Sequence, residues 1–167
     1  MRVLMVYPEF PDTFWSFKHA LKFIHKKVSN PPLGLMTISA LLPSEWERKL
    51  VDTNIHGLKK KDIQWADMIF ISAMDVQRAS VKEIVQQVKK YRKFIVAGGP
   101  LFTSEYELFE DVDHLILNEG ELTIPSFLRD LEGNCAKHLY TSEDWADIRT
   151  TPIPHWNLIN VKKYASM

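Results

Sequence analysis

The sequence predicts an α/β fold in which a parallel sheet carries helices on both faces. Five short apolar runs alternate with longer segments whose hydrophobic residues recur at helical spacing, a pattern typical of β-α-β units. The runs contain few polar residues, as expected of strands that are buried on both faces. A small, polar or glycine-rich turn follows each run, where the chain has to change direction.

The five predicted strands cover residues 2–7, 48–52, 68–72, 94–97 and 114–117. Pro8 ends the first strand, since proline cannot continue the hydrogen-bonded ladder of a central strand. Residues 135–140 are a candidate for an additional edge strand. Because crossovers between parallel strands are right-handed, five strands at this chain length favour a flavodoxin-like (Rossmann-like) sheet in the order 2-1-3-4-5.

Helices are predicted between the strands, over residues 14–27, 33–42, 62–66, 81–91, 104–110 and 124–133. Residues 14–27 carry an amphipathic pattern inside an unusually long connection, which indicates either a functional segment or a packed surface helix. Ser80 and Ser104 are predicted to cap the helices that follow them. Gly133 is predicted to end the last helix.

The composition predicts a soluble chain with one domain. Of its 167 residues, 46% are hydrophobic, which supplies a core and disfavours disorder. Lys and Arg together number 21, as do Asp and Glu, so no charge excess favours nucleic acid or an anionic membrane as a partner. A single cysteine, Cys135, excludes an internal disulfide or a multi-cysteine metal site within these residues. With no apolar run of membrane-spanning length, we expect a cytoplasmic protein.

Residues 1–140 are predicted to form the α/β domain, and residues 141–167 a linker or tail. The tail has no clear periodicity and is either a wrapping arm or a linker. It ends without a helix cap, so we expect the chain to be cut before another domain. Its aromatic residues are expected to be exposed and to contact that missing domain or another copy: Trp145, Trp156 and Tyr164.

The turns after the predicted strands lack several common cofactor motifs. No Gly-x-Gly-x-x-Gly follows the first strand, which disfavours the usual dinucleotide-binding fold, and no Gly-Lys-Ser/Thr phosphate loop is present. The first turn also lacks the Ser/Thr- and Gly-rich run with which flavodoxins bind a flavin phosphate. A phospho-acceptor domain is disfavoured because the third strand ends in Ser72 rather than Asp.

Three turns do carry features of a ligand site, and in an open α/β sheet ligands bind outside the carboxyl ends of the strands. These turns are Asp52-Thr53-Asn54-Ile55-His56-Gly57, Ser72-Ala73-Met74-Asp75 and Gly98-Gly99-Pro100. Paired glycines allow a flat ligand or its nucleotide tail to approach the backbone. A serine hydroxyl can bond to a heterocycle nitrogen.

With these turns, the sequence resembles the cobalamin-binding domain of cobalamin-dependent radical SAM enzymes over nearly the whole chain. The segments that carry the resemblance are Val6-Tyr7-Pro8, Phe14-Trp15-Ser16-Phe17-Lys18, Pro31-Pro32-Leu33-Gly34-Leu35, Leu50-Val51-Asp52, Gly98-Gly99-Pro100 and Asn118-Glu119-Gly120-Glu121. In that family, a final Pro-x-Pro and Tyr segment leads into a radical SAM barrel. A three-cysteine motif in the barrel holds a four-iron cluster.

The wider cobalamin-binding superfamily has the motif Asp-x-His-x-x-Gly, whose His is the lower cobalt ligand. Asp52 and Gly57 match this motif, but Asn54 stands where the His would be. Since an amide is a poor cobalt ligand, the resemblance implies cobalamin with its own base displaced and no protein imidazole below cobalt. His56 is the alternative cobalt ligand; otherwise it is a solvated or backbone-bonded loop histidine.

The superfamily's later elements, Ser-x-Leu and Gly-Gly, are matched loosely by Ser72 with Met74 and fully by Gly98 with Gly99. The resemblance therefore implies ten cofactor-binding residues: Tyr7, Asp52, Asn54, Gly57, Ser72, Met74, Gly98, Gly99, Glu119 and Gly120. No catalytic residue is assigned.

Three residues of the segment after the fifth predicted strand, residues 118–121, have specific expected roles. Gly120 is expected to provide a turn with positive φ. The carboxylates of Glu119 and Glu121 either favour the N-terminus of the last helix or contact the corrin edge.

Three functions follow as hypotheses. In the first, the chain is the cobalamin-binding module of a radical SAM enzyme that performs methyl transfer or a related radical reaction, and it turns nothing over alone. S-adenosylmethionine and the four-iron cluster then belong to the missing C-terminal domain, which is the expected partner besides the corrinoid. In the second, the chain is a scaffold or substrate-recognition domain that has lost cobalamin. A stand-alone enzyme is disfavoured because no nucleophile–base pair or metal cluster is evident.

Overall fold

A computed structural model of the protein describes residues 1–13, 21 and 23–166. Among these residues, parallel strands form one sheet in the order β2-β1-β3-β4-β5-β6. The strands are β1 (Arg2–Tyr7), β2 (Glu47–Asp52), β3 (Met68–Ser72), β4 (Phe94–Gly98), β5 (His114–Ile116) and β6 (Leu139–Tyr140). The predicted class and the order of the first five strands are confirmed.

The five-stranded count is wrong, because the candidate edge strand is a sixth member of the sheet. Leu139 and Tyr140 pair in parallel with Leu115 and Ile116 of β5. A two-residue strand is too short to produce an alternating or continuous apolar pattern in the sequence. Its pairing depends on the position of β5, which the local sequence does not contain.

Helices connect the strands: α1 (Leu33–Leu41), α2 (Lys60–Trp65), α3 (Arg78–Lys89), α4 (Pro100–Glu105) and α5 (Gly120–Glu132). Short 3₁₀ turns occur at Asp75–Gln77, Tyr106–Leu108, Trp156–Leu158 and Val161–Lys163. The helix predicted over residues 14–27 falls largely outside the described residues. None of the helices in the described part of the chain has the length and apolar character needed to cross a membrane.

Both predicted serine caps are wrong, because each serine lies inside a helix. The helix α3 already begins at Arg78, and the Ser80 hydroxyl accepts a hydrogen bond from the backbone N–H of Glu9 at 2.9 Å. The helix α4 begins at Pro100, and the Ser104 hydroxyl lies 3.0 Å from the carbonyl oxygen of that proline. Proline suits the first turn of a helix, because the backbone N–H that it lacks would have no partner within the helix at that position.

The helix α5 begins at Gly120, several residues earlier than predicted. The expectation of a positive φ at this glycine is also wrong, since it is Asn118, with φ of 58°, that adopts the left-handed conformation. Gly120 serves a different purpose. A Cβ placed there would collide with Cδ1 of Ile38, so the glycine lets α1 and α5 approach each other.

The sheet separates two hydrophobic layers, since alternate residues of each strand point to opposite faces. The layer toward α3 includes Leu4, Val6, Ile69, Ile71, Val81 and Val85. The layer toward α1 and α5 includes Val3, Met5, Phe70, Leu35, Ile124 and Phe127. Because both faces are covered in this way, the carboxyl edge of the sheet remains for a ligand.

The C-terminal segment packs against the domain. His155 donates its backbone N–H to Met36 of α1 at 3.1 Å, and its ring lies 2.9 Å from the hydroxyl of the buried Ser39. Tyr164 forms an isolated parallel bridge with Val28 and is 1% exposed. The expected exposure of Tyr164 is therefore wrong.

The other two aromatic residues of the tail differ from Tyr164. Trp145 is 86% exposed, as expected, whereas Trp156 is half-buried.

Candidate functional site

The described residues form two neighbouring pockets at the carboxyl edge of the sheet. The first, which we call the slot, has a volume of about 280 Å³ and lies between α1, α5 and the ends of β3, β4 and β5. The second, which we call the loop pocket, has a volume of about 460 Å³ and lies between the turns after β1, β2 and β3 and residues 27–30. Together they occupy the position at which open α/β sheets bind ligands.

The slot has apolar walls and a few polar groups. Ile38 of α1, Phe70 of β3 and Ile124 of α5 provide hydrophobic surface. Its polar residues are Ser72, Thr37, Asn118, Glu119 and Glu121. A concave space with apolar walls and a small number of hydrogen-bonding groups is typical of a small-molecule site.

Glycines keep the slot open, but two of them are required first by the packing of the protein itself. A Cβ at Gly98 would lie 2.6 Å from the carbonyl oxygen of Ile116 on the neighbouring strand. Gly99 has φ of 92°, and a Cβ there would lie 2.7 Å from the hydroxyl oxygen of Ser72. Gly34 is different, since its Cβ would only reach ordinary contact distance, 4.0 Å, from Ser72.

The loop pocket is lined by aromatic, aliphatic and amide side chains. Tyr7 and Phe10 pack edge to face with ring centroids 5.8 Å apart, and both line the pocket together with Met74 and Asn54. Burial, with a further contribution from the carboxylate of Asp52, raises the pKa of Tyr7 to about 12. The phenol therefore keeps its proton at neutral pH and remains a hydrogen-bond donor.

Asp52 lies buried beside the loop pocket and accepts hydrogen bonds from three donors. Its Oδ1 accepts from the backbone N–H of Asn54 at 2.9 Å and from Nδ2 of Asn54 at 2.8 Å. Its Oδ2 accepts from the hydroxyl of Tyr164 at 3.0 Å. Burial raises the pKa of the Asp52 carboxyl, and the hydrogen bonds from Asn54 and Tyr164 oppose that shift without cancelling it.

The side chain of Asn54 is bound at both ends to the turn that follows β1. Its Oδ1 accepts from the backbone N–H of Phe10 at 2.8 Å, and its Nδ2 donates to the carbonyl oxygen of Pro8 at 3.0 Å. Neighbouring His56 and Gly57 are exposed and line neither of the two pockets. The residue at the ligand position of the motif thus serves to hold a neighbouring loop.

The structure divides the ten predicted site residues into groups. Those that line the slot are Ser72, Gly98, Gly99, Glu119 and Gly120. Those that line the loop pocket are Tyr7, Asn54 and Met74. Asp52 is buried below this edge, and Gly57 lies exposed on its loop.

Several residues of the site were not identified from the sequence. Gln77 is fully buried, accepts from the backbone N–H of Met74 at 2.8 Å and donates to the carbonyl oxygen of Pro8. Tyr164 reaches Asp52 from the far end of the chain. Neither has a local signal, whereas Asn118 stands directly before the Glu-Gly-Glu segment and was within reach of the sequence argument.

Metal-ligating side chains do not gather in the described part of the chain. Among residues 1–13, 21 and 23–166, no group of three or more His, Cys, Asp or Glu is arranged to hold a metal ion.

Residues 25–128 match the family described as B12 binding domain. Over the full length of this chain, it is 40% identical to an uncharacterized methyltransferase of Synechocystis sp.. Over 98% of this chain, it is 30% identical to the hopanoid C-2 methylase of Rhodopseudomonas palustris. It is 24% identical to the bacteriochlorophyllide d C-8(2)-methyltransferase of Chlorobaculum tepidum over 83% of its length. These matches confirm the resemblance that the sequence indicated.

The chain spans about a third of the length of these relatives: 32%, 32% and 30% of the three proteins, respectively. No solved structure matches the chain significantly.

Proposed function

This chain belongs to the B12-binding domain family, and we propose that it holds cobalamin for a larger methyltransferase of the radical SAM type. The observation that carries the proposal is the slot beside Ser72, Gly98 and Gly99, the three residues that match the superfamily's second and third motifs. The same residues occur in the sequence at separate strand ends, and the fold brings them to one pocket.

The residues present fit the cofactor. The slot offers apolar walls, the hydroxyl of Ser72 and side-chain-free backbone at Gly98 and Gly99, which suits the flat nucleotide tail of cobalamin. Its volume of about 280 Å³ is adequate for a heterocyclic base but not for the whole cofactor. The corrin ring would then lie over the strand ends, toward the loop pocket with Tyr7 and Met74.

We also propose that no side chain of this chain is a lower ligand of cobalt. Both ends of the Asn54 amide are bound to backbone groups of Pro8 and Phe10, so this side chain is committed elsewhere. His56 lines neither the slot nor the loop pocket. Cobalamin would therefore be held by shape and backbone contacts, with its own base displaced into the slot.

When bound, cobalamin would supply a cobalt centre able to carry a methyl group, and the role of this chain would be to orient it. The names of the relatives, a methylase and two methyltransferases, support methyl transfer as the reaction of the larger protein. S-adenosylmethionine and a four-iron cluster would belong to a radical SAM domain of that protein, since this chain has one cysteine. That domain would be its partner.

Titration of the purified chain with hydroxocobalamin tests the proposal. We expect a change in the visible absorption spectrum with a defined endpoint. The Gly34→Leu variant places a side chain in the slot next to Ser72, and we expect it to lose most of the binding. Because leucine is a better helix former than glycine, this variant should melt no earlier than the unmodified chain, which separates blocked binding from unfolding.

Electron paramagnetic resonance of the reduced, cob(II)alamin-bound chain tests the absence of a lower ligand. We expect no nitrogen superhyperfine splitting from an axial imidazole. Such splitting would contradict this part of the proposal. A complete lack of spectral change in the titration would instead favour the scaffold or substrate-recognition hypothesis.

A further inference from the structure

A continuous chain of hydrogen bonds joins the C-terminal segment to the turn after β1. The hydroxyl of Tyr164 donates to Oδ2 of Asp52 at 3.0 Å, although the two residues are 112 positions apart in the sequence. The other oxygen of Asp52 accepts from Nδ2 of Asn54 at 2.8 Å. Asn54 in turn binds the backbone N–H of Phe10 and the carbonyl oxygen of Pro8.

Side chains from the turn after β2, from the 3₁₀ turn Asp75–Gln77 and from α3 bind the turn after β1. Besides the two bonds from Asn54, Gln77 donates to the carbonyl oxygen of Pro8, and the hydroxyl of Ser80 accepts from the N–H of Glu9. Three consecutive residues, 8–10, are thus fixed by side chains that lie outside their own segment. Since Glu9 and Phe10 line the loop pocket, the position of this turn sets one wall of that pocket.

Another part of the loop-pocket lining depends on the C-terminal segment that carries Tyr164. The backbone N–H groups of Lys27 and Val28 both donate to the carbonyl oxygen of Lys163, and the N–H of Ala165 donates to Val28 at 2.9 Å. Lys27 and Val28 line the loop pocket. Docking of residues 161–166 therefore touches this part of the lining directly and reaches the turn after β1 through Tyr164, Asp52 and Asn54.

Within this chain of hydrogen bonds, Asp52 is the residue most affected by the loss of a partner. Its carboxyl group is buried, and a buried oxygen that loses its donor is left without the hydration it had in the unfolded chain. Without the Tyr164 hydroxyl, we expect the Asp52 side chain to turn toward other donors, and the geometry it imposes on Asn54 to relax. The position of Phe10 would then be less well fixed.

We propose that Tyr164 is a positioning residue for the corrinoid site, acting through Asp52 and Asn54 on the turn after β1. This inference rests on the proposed function, since it assumes that the loop pocket receives part of the cofactor. It implies that docking of residues 161–166 and binding of cobalamin favour each other, because coupling between two binding events is reciprocal.

The Tyr164→Phe variant tests the proposal, with Tyr106→Phe as the matched control at a tyrosine that is 40% exposed and outside both pockets. In the cofactor-free chain, we expect the amide resonances of Phe10 and Asn54 to shift and their hydrogen exchange to accelerate. In a hydroxocobalamin titration, we expect the Kd of Tyr164→Phe to rise by up to about tenfold, which is the effect if the full cost of this lost intramolecular hydrogen bond is coupled to binding. The control should change neither measurement.

Each other result contradicts a defined part of the argument. If only the amides of residues 27–29 and 163–166 respond, Tyr164 merely anchors its own segment and the positioning role is wrong. If Phe10 and Asn54 respond but the Kd does not, the turn does not position the cofactor. If the unmodified chain fails to bind hydroxocobalamin, the proposed function fails, and the amide measurement still decides whether the link from Tyr164 to Phe10 exists.

Discussion

At the level of single residues, the glycines at the carboxyl edge of the sheet differ in whether the protein's own packing requires a residue without a side chain. Gly98 is required by the protein, because a Cβ there would lie 2.6 Å from the backbone oxygen of Ile116. Gly57 is not, since among the described residues no atom outside its own neighbours lies within 4 Å of a Cβ built there. A glycine that the protein's own packing does not need is a candidate for contact with a ligand.

The substitutions Gly57→Ala and Gly98→Ala should therefore differ in their effects on folding stability and on cobalamin binding. We expect Gly98→Ala to lower the free energy of unfolding by about 1–3 kcal/mol, because the new methyl group has no room. Gly57→Ala should change it by less than about 0.5 kcal/mol, as is usual at exposed positions, but should weaken cobalamin binding. Urea denaturation and hydroxocobalamin titration measure the two effects. An unchanged Kd for Gly57→Ala would remove this residue from the site.

At the level of secondary structure, the approach of α1 to α5 determines the width of the slot. Gly120 at the start of α5 lies against Ile38 of α1, and both residues line the slot. The atom that a Cβ at position 120 would meet is Cδ1 of Ile38, the far end of a flexible side chain. The conflict can therefore be relieved by removing one methyl group.

This contact predicts a compensating pair of substitutions. We expect Gly120→Ala alone to destabilise the protein by about 1 kcal/mol, the low end of the range for overpacking, because the end of the Ile38 side chain is flexible. Ile38→Val alone removes Cδ1 and should cost about 0.5–1.5 kcal/mol. The double variant should be more stable than the sum of the two effects predicts, and urea denaturation of all four proteins measures that difference. Strict additivity would mean that Cδ1 of Ile38 does not limit the space at position 120 and would contradict this prediction.

The sequence predicted strands more reliably than helix boundaries, and the reason is physical. A strand buried on both faces must be continuously apolar, so β1 and β3 coincide with their predicted limits. The start of a helix depends instead on which of several polar side chains accepts a hydrogen bond from a free backbone N–H group of the first turn. Ser80 and Ser104 had suitable side chains for a cap, but a 3₁₀ turn and Pro100 begin those helices earlier.

At the level of the whole molecule, the candidate site was predicted as a set of residues but not as a shape. Parallel strands place their carboxyl ends at one edge, which is why the turns with Asn54 and Ser72 could be grouped from the sequence. Tyr7 was added by the family resemblance. Their division between the slot and the loop pocket depends on how helices and loops pack across the sheet. Tyr164 was missed because its partner, Asp52, is 112 residues away and the intervening sequence gives no sign of the contact.

The packing of the C-terminal segment leads to a prediction about the domain boundary placed at residue 140. Tyr164 is almost completely buried, and removing a large buried aromatic side chain costs about 3–5 kcal/mol. A chain shortened to residues 1–140 also loses the contact of His155 with Ser39 and leaves Asp52 without the Tyr164 donor. We therefore expect it to be less stable than the 167-residue chain by at least that amount.

Urea denaturation of the shortened and the 167-residue chains measures this difference. The Trp145→Ala variant is the control, because this tryptophan is 86% exposed and its loss should change the free energy of unfolding by less than about 0.5 kcal/mol. Equal stability of residues 1–140 and the longer chain would show that the tail is only a linker. A large loss of stability would instead make residues 155–166 part of the folded domain, and would place the boundary to any following domain beyond Tyr164.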